Sequence, residues 1–578
     1  MKLLGVGAAL VASVVACTPH DTAAVGPPSV GAVASANQPA AAPREVVISI
    51  VGTNDLHGRV QALPLLAGYV QNLRRARASD GGVLLVDAGD MFQGTLESNL
   101  LEGAPVRDAY AVMRYDAVTI GNHEFDYGPV GPLAIPGAPT DDRRGALLAL
   151  TKSAPFPFLS SNILERSSGR RVDWPNVPPS LVKDVAGVKV GLIGISTFET
   201  LETTIRPNID DLVMRPLADA VIEQAARVRA EGAQLVVVLA HAGGKCKAYT
   251  GDVAADGCET GSEIFELARA LPKDTVHAIV AGHSHAGVAH EVAGVAIIEQ
   301  LAYGVAFGRV DFSVAPGAPP KLVKVFAPSE LCPGVKQPDF ETCVPGTYEG
   351  GEVVRDAEVA RVLAPAIERS RARREEKLGP ELPVEVKRSY DTESPLGNLF
   401  ADLMRDATKV DVAFMNGGGL RANLPAGSLT YGALFEAFPF DNRLATAKLT
   451  VAELERVVAN NLQRSTGLLS ISGLEVSAAC KSGKLDVSLR RPGAKKPLAD
   501  DVKVTLVASD FLFLGGDGFW GEVKDPKFEV DETLMRDAME VELKKLPKVD
   551  ATKLFDAKKP RYALPKARPI DCSPPRAP

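Results

Sequence analysis

Five short apolar runs in the first half of the chain each end on residues that can bind a metal ion. The runs are rich in valine, isoleucine and leucine, and they lead into the stretches GTNDLHG, DAGD, GNHEFDYG, AH and AGHSHAG. Buried strands of a parallel sheet show such continuous apolar runs, and ligands collect beyond the carboxyl ends of those strands. The pattern therefore predicts an α/β fold with candidate ligands along one edge of the sheet.

The candidate ligands are carboxylates, imidazoles and one amide. They are Asp55, His57, Asp90, Asn122, His123, His241, His283 and His285. After a single strand such a residue is often a turn residue or a satisfied core group, but five coincident cases favour a metal site. The mixture suits zinc, manganese, iron or cobalt better than calcium, and it is large enough for two ions. Two ions that share one carboxylate are typical of phosphoester hydrolysis.

Length and charge limit the architecture and the partners. A chain of 578 residues exceeds a single hydrophobic core, so we expect two domains. The formal net charge of -7 argues against a nucleic acid polymer as partner, because no excess of basic residues is available to neutralise phosphates. Small charged ligands stay compatible with this composition, and the sequence leaves the oligomeric state open.

The N-terminus predicts export from the cytoplasm. Lys2 precedes a short apolar stretch that is too short to span a bilayer, and the stretch ends in Val14, Val15, Ala16 and Cys17. These four residues resemble the bacterial lipobox, whose cysteine is lipidated, although a plain secretory signal with an incidental cysteine is an alternative. Residues 18–44 lack periodicity and predict a flexible tether. The resemblance implies a lipoprotein of the bacterial cell envelope, periplasmic or associated with the outer membrane and held by lipid at Cys17.

Six further cysteines suggest disulfides, since an oxidising compartment favours them. They are Cys246, Cys258, Cys332, Cys343, Cys480 and Cys572. Six cysteines allow about 15 connectivities, which sequence alone cannot distinguish. Short loops close at low entropic cost, so the favoured pairs are Cys246 with Cys258 and Cys332 with Cys343. Cys480 would then tie down the C-terminal tail at Cys572.

The ligand motifs together resemble a known family. The series D-x-H, GD, GNHE, H and GHxH resembles the calcineurin-like metallophosphoesterases, and NDLHG with GNHEFDYG resembles the 5'-nucleotidase and UDP-sugar hydrolase branch. The resemblance implies a four-layer α/β sandwich with two divalent metal ions. One ion would be held by Asp55, His57, Asp90 and His285, and the other by Asp90, Asn122, His241 and His283, with Asp90 as the bridge. His123, oriented by Asp126, would contact the phosphate and stabilise the transition state.

The second half of the chain has no histidine after His290, but it carries groups that can recognise a nucleotide. The stretches MNGGGLRANL, FPFDN and FLFLGGDGFW supply Asn416, Arg421, Phe440, Asn442, Phe511 and Asp517. Each of these alone is more often a core, turn or surface residue. Together with SPLGNLFADLM they resemble the α+β C-terminal domain of the 5'-nucleotidases, which implies that Phe440 and Phe511 stack on the base. The family brings further phosphate-binding arginines from before the LGN motif, where this chain offers only Arg388.

A linking helix is predicted between the halves. Val359, Leu363 and Ile367 recur at helical spacing, and Gly379 with Pro380 would end a helix of about residues 354–378, with Pro365 as a potential kink. We expect a phosphoesterase domain at 45–350, a linker at 351–379, a nucleotide-binding domain at 380–565 and a tail at 566–578. The family resemblance implies that the second domain rotates to carry a bound nucleotide to the metals.

The leading hypothesis is an exported enzyme that releases phosphate from nucleoside 5'-phosphates, with UDP-sugars as further candidate substrates. On the same scaffold, the alternatives are a cyclic-nucleotide phosphodiesterase or 3'-nucleotidase and a thiosulfohydrolase. A surface lipoprotein that binds nucleotide or metal without turnover is the non-enzymatic alternative. The complete ligand set favours an enzyme.

Overall fold

The computed structural model describes residues 44–335, 338–524 and 526–573. The predicted signal peptide, Cys17 and the predicted tether up to residue 43 lie outside these ranges. Among the described helices, none has the length and apolar character needed to span a bilayer.

Two six-stranded sheets form the centre of the first domain, as far as the described residues show. The first sheet has the strand order Lys321–Glu330, Ala306–Val314, Val46–Thr53, Gly81–Asp87, Ala117–Thr119 and Phe158–Leu159. The second has the order Gly287–Val292, Val295–Gln300, Ala278–Ala281, Leu235–His241, Val188–Ser196 and Ser180–Val185. In the second sheet the four inner strands pair in parallel, and an antiparallel strand lies at each edge. In the first sheet the four strands from Val46–Thr53 to Phe158–Leu159 pair in parallel, and the strands Ala306–Val314 and Lys321–Glu330 add antiparallel pairs at the other edge.

The two sheets pack face to face on a core of branched aliphatic side chains, among them Ile48, Ile50, Val237 and Val280. Helices cover the outer faces. The helices Leu63–Arg77, Ala104–Met113 and Gly145–Ser153 lie on the first sheet. The helices Leu217–Ala230 and Glu263–Ala270 lie on the second sheet. The four-layer α/β sandwich is therefore confirmed, and burial on both faces explains why the strands read as continuous apolar runs.

The second domain is built on a mixed sheet with a core on each face. Its strand order is Leu469–Ser472, Val412–Asn416, Lys503–Ser509, Arg443–Thr450 and Phe528–Leu534. The packed helices are Pro395–Thr408, Tyr431–Ala437, Val451–Gln463, Asp510–Phe513, Met535–Leu543 and Ala551–Leu554. A smaller sheet has the order Lys484–Arg490, Glu475–Lys481 and Tyr562–Ala563. This confirms the predicted α+β class.

The stretch SPLGN begins the helix Pro395–Thr408. Ser394 is the N-cap, and its hydroxyl accepts a hydrogen bond from the backbone N–H of Gly397 at 3.1 Å. Pro395 occupies the first helical position, where its missing N–H costs nothing. Helix capping therefore explains the serine and the proline at the start of this motif.

The linking helix spans Ala357–Arg374 and is shorter than the sequence predicts. Asp356 caps its start by accepting a hydrogen bond from the N–H of Val359, and the helix continues through Pro365. Gly379 and Pro380 do not end the helix as expected. They lie in the strand Lys377–Leu382, because those residues pair with the strand Gly427–Thr430 of the second domain.

Three disulfides join the described cysteines: Cys246 with Cys258, Cys332 with Cys343, and Cys480 with Cys572. The first two are the pairs that loop length favours, and the third is the pair that was expected from the two remaining cysteines. His290 lies near the first pair, but both sulfurs are already bonded to each other, so this group is not a metal site.

Candidate active site

Five residues at the strand ends adopt a left-handed backbone conformation. Asp55, His57, Asp90, His283 and His285 have φ angles between 49° and 79°. Such conformations cost on the order of 1 to 3 kcal/mol each in residues other than glycine, so they persist only where neighbouring contacts hold them. Here the backbone N–H of Asp55 donates to the carbonyl of Gly89 at 2.9 Å, and that of His57 donates to the carbonyl of Asp90 at 3.0 Å. These hydrogen bonds between the loops hold the strained backbone conformations, and in these conformations the five side chains converge on one site.

One group of potential metal ligands consists of Asp55, His57, Asp90 and His285. The Nε2 atoms of His57 and His285 are 3.0 Å apart, and Nε2 of His285 is 3.3 Å from Oδ1 of Asp55. That Oδ1 atom is buried and has no hydrogen-bond partner. A buried carboxylate oxygen without a partner is costly unless a cation compensates it, so these residues fit a divalent metal ion.

A second group consists of Asp90, His241 and His283. The amide oxygen Oδ1 of Asn122 completes it, at 3.0 Å from Nε2 of His241 and 3.1 Å from Nδ1 of His283. Asp90 belongs to both groups. Its Oδ1 accepts a hydrogen bond from the backbone N–H of His123, and its Oδ2 lies 3.2 Å from Nε2 of His241. The arrangement offers two adjacent cation positions with Asp90 between them.

Hydrogen bonds on the outer side of two of the imidazoles, those of His57 and His241, fix which nitrogen faces the site. The Nδ1–H of His57 donates to the carbonyl of Gln93 at 2.9 Å, and the Nδ1–H of His241 donates to the carbonyl of Ala88 at 2.8 Å. Both rings therefore turn Nε2 toward the ligand groups. Such outer contacts orient metal-ligating histidines in general.

The charges of the ligands favour a cation. Burial alone would raise the pKa of Asp55, but His285 outweighs burial and lowers this pKa to about 2. Burial holds the pKa of His57 well below its usual range, so that ring is neutral near pH 7. Burial would also lower the pKa of His241, but the negative Asp90 raises it to about 10. The centre thus combines ionised carboxylates with a negative field at His241.

His123 and Asp126 form a pair beside the ligand groups. Nδ1 of His123 donates to Oδ2 of Asp126 at 2.6 Å, and its Nε2 lies 4.0 Å from Oδ2 of Asp90. Burial opposes protonation of this ring, but Asp126 and then Asp90 raise its pKa above the ordinary value. His123 therefore tends to carry a proton that it can offer to an anion.

Two residues that contact the ligand groups escaped the sequence interpretation. Glu124 is buried, and its carboxylate accepts hydrogen bonds from the backbone N–H groups of Asp90, Met91 and Gly121 at 2.7 to 2.9 Å. Glu124 therefore connects the GNHE loop to the DAGD loop. Its position inside the GNHE motif could have pointed to this contact. Glu199 contacts Nε2 of His283 at 2.9 Å. A sixth apolar run, the strand Val188–Ser196, leads into Thr197, Phe198 and Glu199 and would have pointed to it.

All the substrate residues suggested by the second half line the same cavity as the ligand groups. They are Arg388, Asn416, Arg421, Phe440, Asn442, Phe511 and Asp517. The cavity has a volume of about 1530 Å³ and lies between the two domains. Nη2 of Arg421 donates to Nε2 of His57 at 3.2 Å, and the ring of Phe440 lies 5.7 Å from the ring of His123. The second domain thus reaches the ligand groups directly.

The glycine turns of the second domain help to position these side chains. The amide of Asn416 donates to Oδ2 of Asp517 at 3.0 Å, which joins the GGG turn to the GGDG turn. The ring of Phe511 lies on the backbone of Gly516, where any side chain would overlap it. Arg388 lies near Arg421, and its pKa is lowered by burial and by that second cation. Two neighbouring guanidinium groups favour an anion between them.

Comparisons with known proteins agree with this geometry. Residues 48–287 match the family model for the calcineurin-like phosphoesterase, and residues 375–523 match the model for the 5'-nucleotidase C-terminal domain. Protein UshA of Yersinia enterocolitica is 27% identical over 566 residues, which cover 91% of this chain and 92% of that protein. A 5'-nucleotidase of Vibrio cholerae is 26% identical over 533 residues, which cover 85% of this chain and 90% of that protein.

A solved structure has the same fold. The crystal structure of a 5'-nucleotidase precursor from Thermus thermophilus superimposes with a TM-score of 0.67 at 23% sequence identity. The match covers 87% of this chain and 97% of that chain. Both domains therefore share their architecture with that protein.

Proposed function

Because this chain belongs to the calcineurin-like phosphoesterases and carries a 5'-nucleotidase C-terminal domain, it is a metal-dependent phosphoester hydrolase, and we propose that it releases phosphate from nucleoside 5'-phosphates. The contact between Arg421 and His57 is the observation that carries the proposal. It sets an anion-binding group of the second domain against the metal ligands of the first. A substrate that spans both domains needs a phosphate at one end and a recognised group at the other, as a nucleotide has.

We propose that the centre binds two divalent ions. Asp55, His57, Asp90 and His285 would hold one, and Asp90, Asn122, His241 and His283 would hold the other. The carboxylate, imidazole and amide donors fit zinc, manganese, iron or cobalt. When bound, two such ions would supply Lewis acidity at the phosphate and an activated water for in-line attack. The chain itself contributes the geometry of the ligands, because hydrogen bonds between the loops around Asp55 and Asp90 hold their left-handed backbone conformations.

His123 is the proposed catalytic residue of the protein itself. Asp126 holds its ring, so that Nε2 points toward the ligand groups and can donate to a phosphate oxygen. A donor placed where negative charge develops contributes more in the transition state than in the ground state. We therefore expect His123 to stabilise the transition state rather than to bind metal.

The nucleoside would occupy the second-domain side of the cavity. Phe440 and Phe511 offer aromatic faces for the base, and the carboxylate of Asp517 offers an acceptor for ribose hydroxyls. Arg421 and Arg388 would take the phosphate. The cavity exceeds the roughly 300 to 1,000 Å³ of ordinary ligand pockets, which favours larger substrates such as UDP-sugars as well.

Phosphate release from a panel of esters tests this function. The purified protein is stripped with a chelator and then supplied separately with zinc, manganese, iron or cobalt. We expect release from 5'-AMP with at least one metal and none after stripping. Preference for 3'-AMP or cyclic AMP would instead identify a 3'-nucleotidase or a phosphodiesterase, and thiosulfate-ester cleavage would identify a thiosulfohydrolase. Nucleotide binding without turnover under every metal would contradict an enzymatic role.

We also propose that the protein is exported and anchored by lipid at Cys17. Three disulfides are typical of proteins outside the cytoplasm. Replacement of Cys17 by serine should move the protein from the membrane fraction to the soluble exported fraction, because lipid and not a helix would hold it. Unchanged membrane retention of the variant would contradict the anchor.

A further inference from the structure

We propose that Glu199 is a positioning residue of the metal centre, which holds the Nε2–H of His283 so that Nδ1 of the same ring faces the metal. The two atoms Oε2 of Glu199 and Nε2 of His283 are 2.9 Å apart. On the other side of the ring, Nδ1 lies 3.1 Å from Oδ1 of Asn122, in the second ligand group. The inference rests on the two-ion centre proposed above and adds to it a residue outside the ligand set.

His283 differs from the other ligand histidines in its orientation. His57 and His241 present Nε2 to the site and are held by backbone carbonyls. His283 presents Nδ1 instead and is held by a side-chain carboxylate. A carboxylate partner fixes the tautomer and makes the imidazole a stronger donor to a metal. Unlike a backbone carbonyl, this partner can be removed by a point substitution.

The backbone places Glu199 where its carboxylate can hold the Nε2–H of His283. The strand Val188–Ser196 runs parallel to the strand Leu235–His241, with Ser196 opposite His241. The next residue, Thr197, donates its N–H to the carbonyl of His241 at 2.8 Å, and its hydroxyl accepts from the N–H of Glu199 at 3.1 Å. The hydroxyl of Thr197 in turn donates to Glu263 at 2.7 Å. Glu199 is therefore fixed to the same strand end that carries the ligand His241.

The exposure of Glu199 to solvent determines how strongly its removal should weaken metal binding. The side chain of Glu199 is 68% exposed, so water competes for the hydrogen bond. Loss of an outer partner of a metal-bound histidine typically costs about 10-fold to 100-fold in metal affinity. For this exposed carboxylate we expect the lower end of that range, about 10-fold for one ion.

Chelator competition on the metal-loaded protein tests the role. The wild type is compared with Glu199→Ala, with Glu199→Gln, and with Glu202→Ala as the matched control. Glu202 lies one turn further on and pairs with Arg464 of the second domain, not with a ligand. Each protein is titrated with a chelating dye, and the metal released is counted per chain. Melting temperatures of the metal-free proteins establish that each variant folds.

We expect Glu199→Ala to lose one ion at about a 10-fold lower chelator concentration than the wild type, with the other ion unaffected. Glu199→Gln should lie between them, because its amide oxygen still accepts the Nε2–H without the charge. Glu202→Ala should match the wild type. Equal metal release from Glu199→Ala and the wild type, or from both alanine variants, would overturn the role of Glu199. A wild type that holds a single ion would instead contradict the two-ion proposal, and so the two failures are distinguishable.

Discussion

The guanidinium of Arg421 donates to Nε2 of His57 at 3.2 Å, although 364 residues separate them in the chain. His57 belongs to the first domain and to a metal ligand group, whereas Arg421 follows the glycine turn of the second domain. The contact places a guanidinium, a group that binds anions, beside a candidate metal ligand, and it supports our proposal that the phosphate binds where the two domains meet.

Replacement of Arg421 by alanine should lower kcat/KM for 5'-AMP by about 10-fold to 150-fold, the usual loss for a charge-assisted hydrogen bond. Metal content should not change, because Arg421 is not a ligand. Arg374→Ala is the control, since Arg374 at the end of the linking helix pairs with Glu97 of the first domain at 3.0 Å and with Glu436 of the second at 3.9 Å, and it does not line the cavity. Equal losses in the two variants would show that Arg421 serves only the domain interface.

Asp90→Asn should remove metal and activity together. Asp90 belongs to both ligand groups, and its Oδ2 faces His57 at 3.8 Å and His241 at 3.2 Å. The amide is nearly isosteric but lacks the charge that holds cations. Metal analysis of the purified variant, with phosphate release measured in parallel, checks this. Two fully occupied ions in the variant would contradict the shared position of Asp90.

His123→Ala should lower kcat by on the order of 10²-fold to 10⁴-fold without loss of metal, because we assign it a transition-state contact. Asp126→Asn should cause a smaller loss, since it disturbs only the orientation of the ring. Metal content and kcat are measured in both variants. If His123→Ala loses an ion, then His123 is a ligand and the assignment of the groups is wrong.

The sequence predicted those parts of the site that depend on strand ends. Apolar runs identify buried parallel strands, and parallel strands carry their ligands to one edge, so the gathering of Asp55, Asp90 and His241 follows from the fold class. It could not predict the tautomer of each imidazole, because His57 relies on the carbonyl of Gln93, which any residue type would provide. Glu199 escaped because its strand end lacks a ligand of its own.

The end of the linking helix is a second feature that the sequence did not predict correctly. Helical spacing and the GP pair predicted an end near residue 378, but local pattern carries no information on the distant strand Gly427–Thr430 that pairs with Lys377–Leu382. Tertiary pairing there outweighs local propensity. The meeting of Arg421 and His57 is non-local for the same reason. Only the family resemblance suggested that the second domain comes to the metals.

Asp517→Asn should stabilise the protein in a pH-dependent way while it weakens nucleotide binding. Burial raises the pKa of Asp517 from 3.8 to about 6, against the hydrogen bond from Asn416. Because the folded pKa is the higher one, ionisation costs the folded state stability as pH rises from about 4 to about 6, and the cost is constant above that. The gain in Tm for the variant should grow over this interval and then level off. A gain that is the same at every pH would contradict the raised pKa.

The central claim is that one site contacts the phosphate of the substrate through the first domain and the nucleoside through the second. The ratio of kcat/KM for 5'-AMP to kcat/KM for glycerol 3-phosphate tests this claim most directly. Both esters need the metals and His123, but only the nucleotide has a base to stack. In Phe440→Ala and Phe511→Ala this ratio should fall by about 5-fold to 150-fold, since stacking on an aromatic contributes roughly 1 to 3 kcal/mol.

Phe438→Ala is the matched control for that measurement, because Phe438 is fully buried and its ring lies 5.8 Å from that of Phe440. Its truncation should cost about 3 to 5 kcal/mol of stability and affect both esters alike. The account predicts that Phe440→Ala and Phe511→Ala lose activity on 5'-AMP and retain it on glycerol 3-phosphate. Equal loss on both esters with a lowered Tm, as in the control, would contradict it.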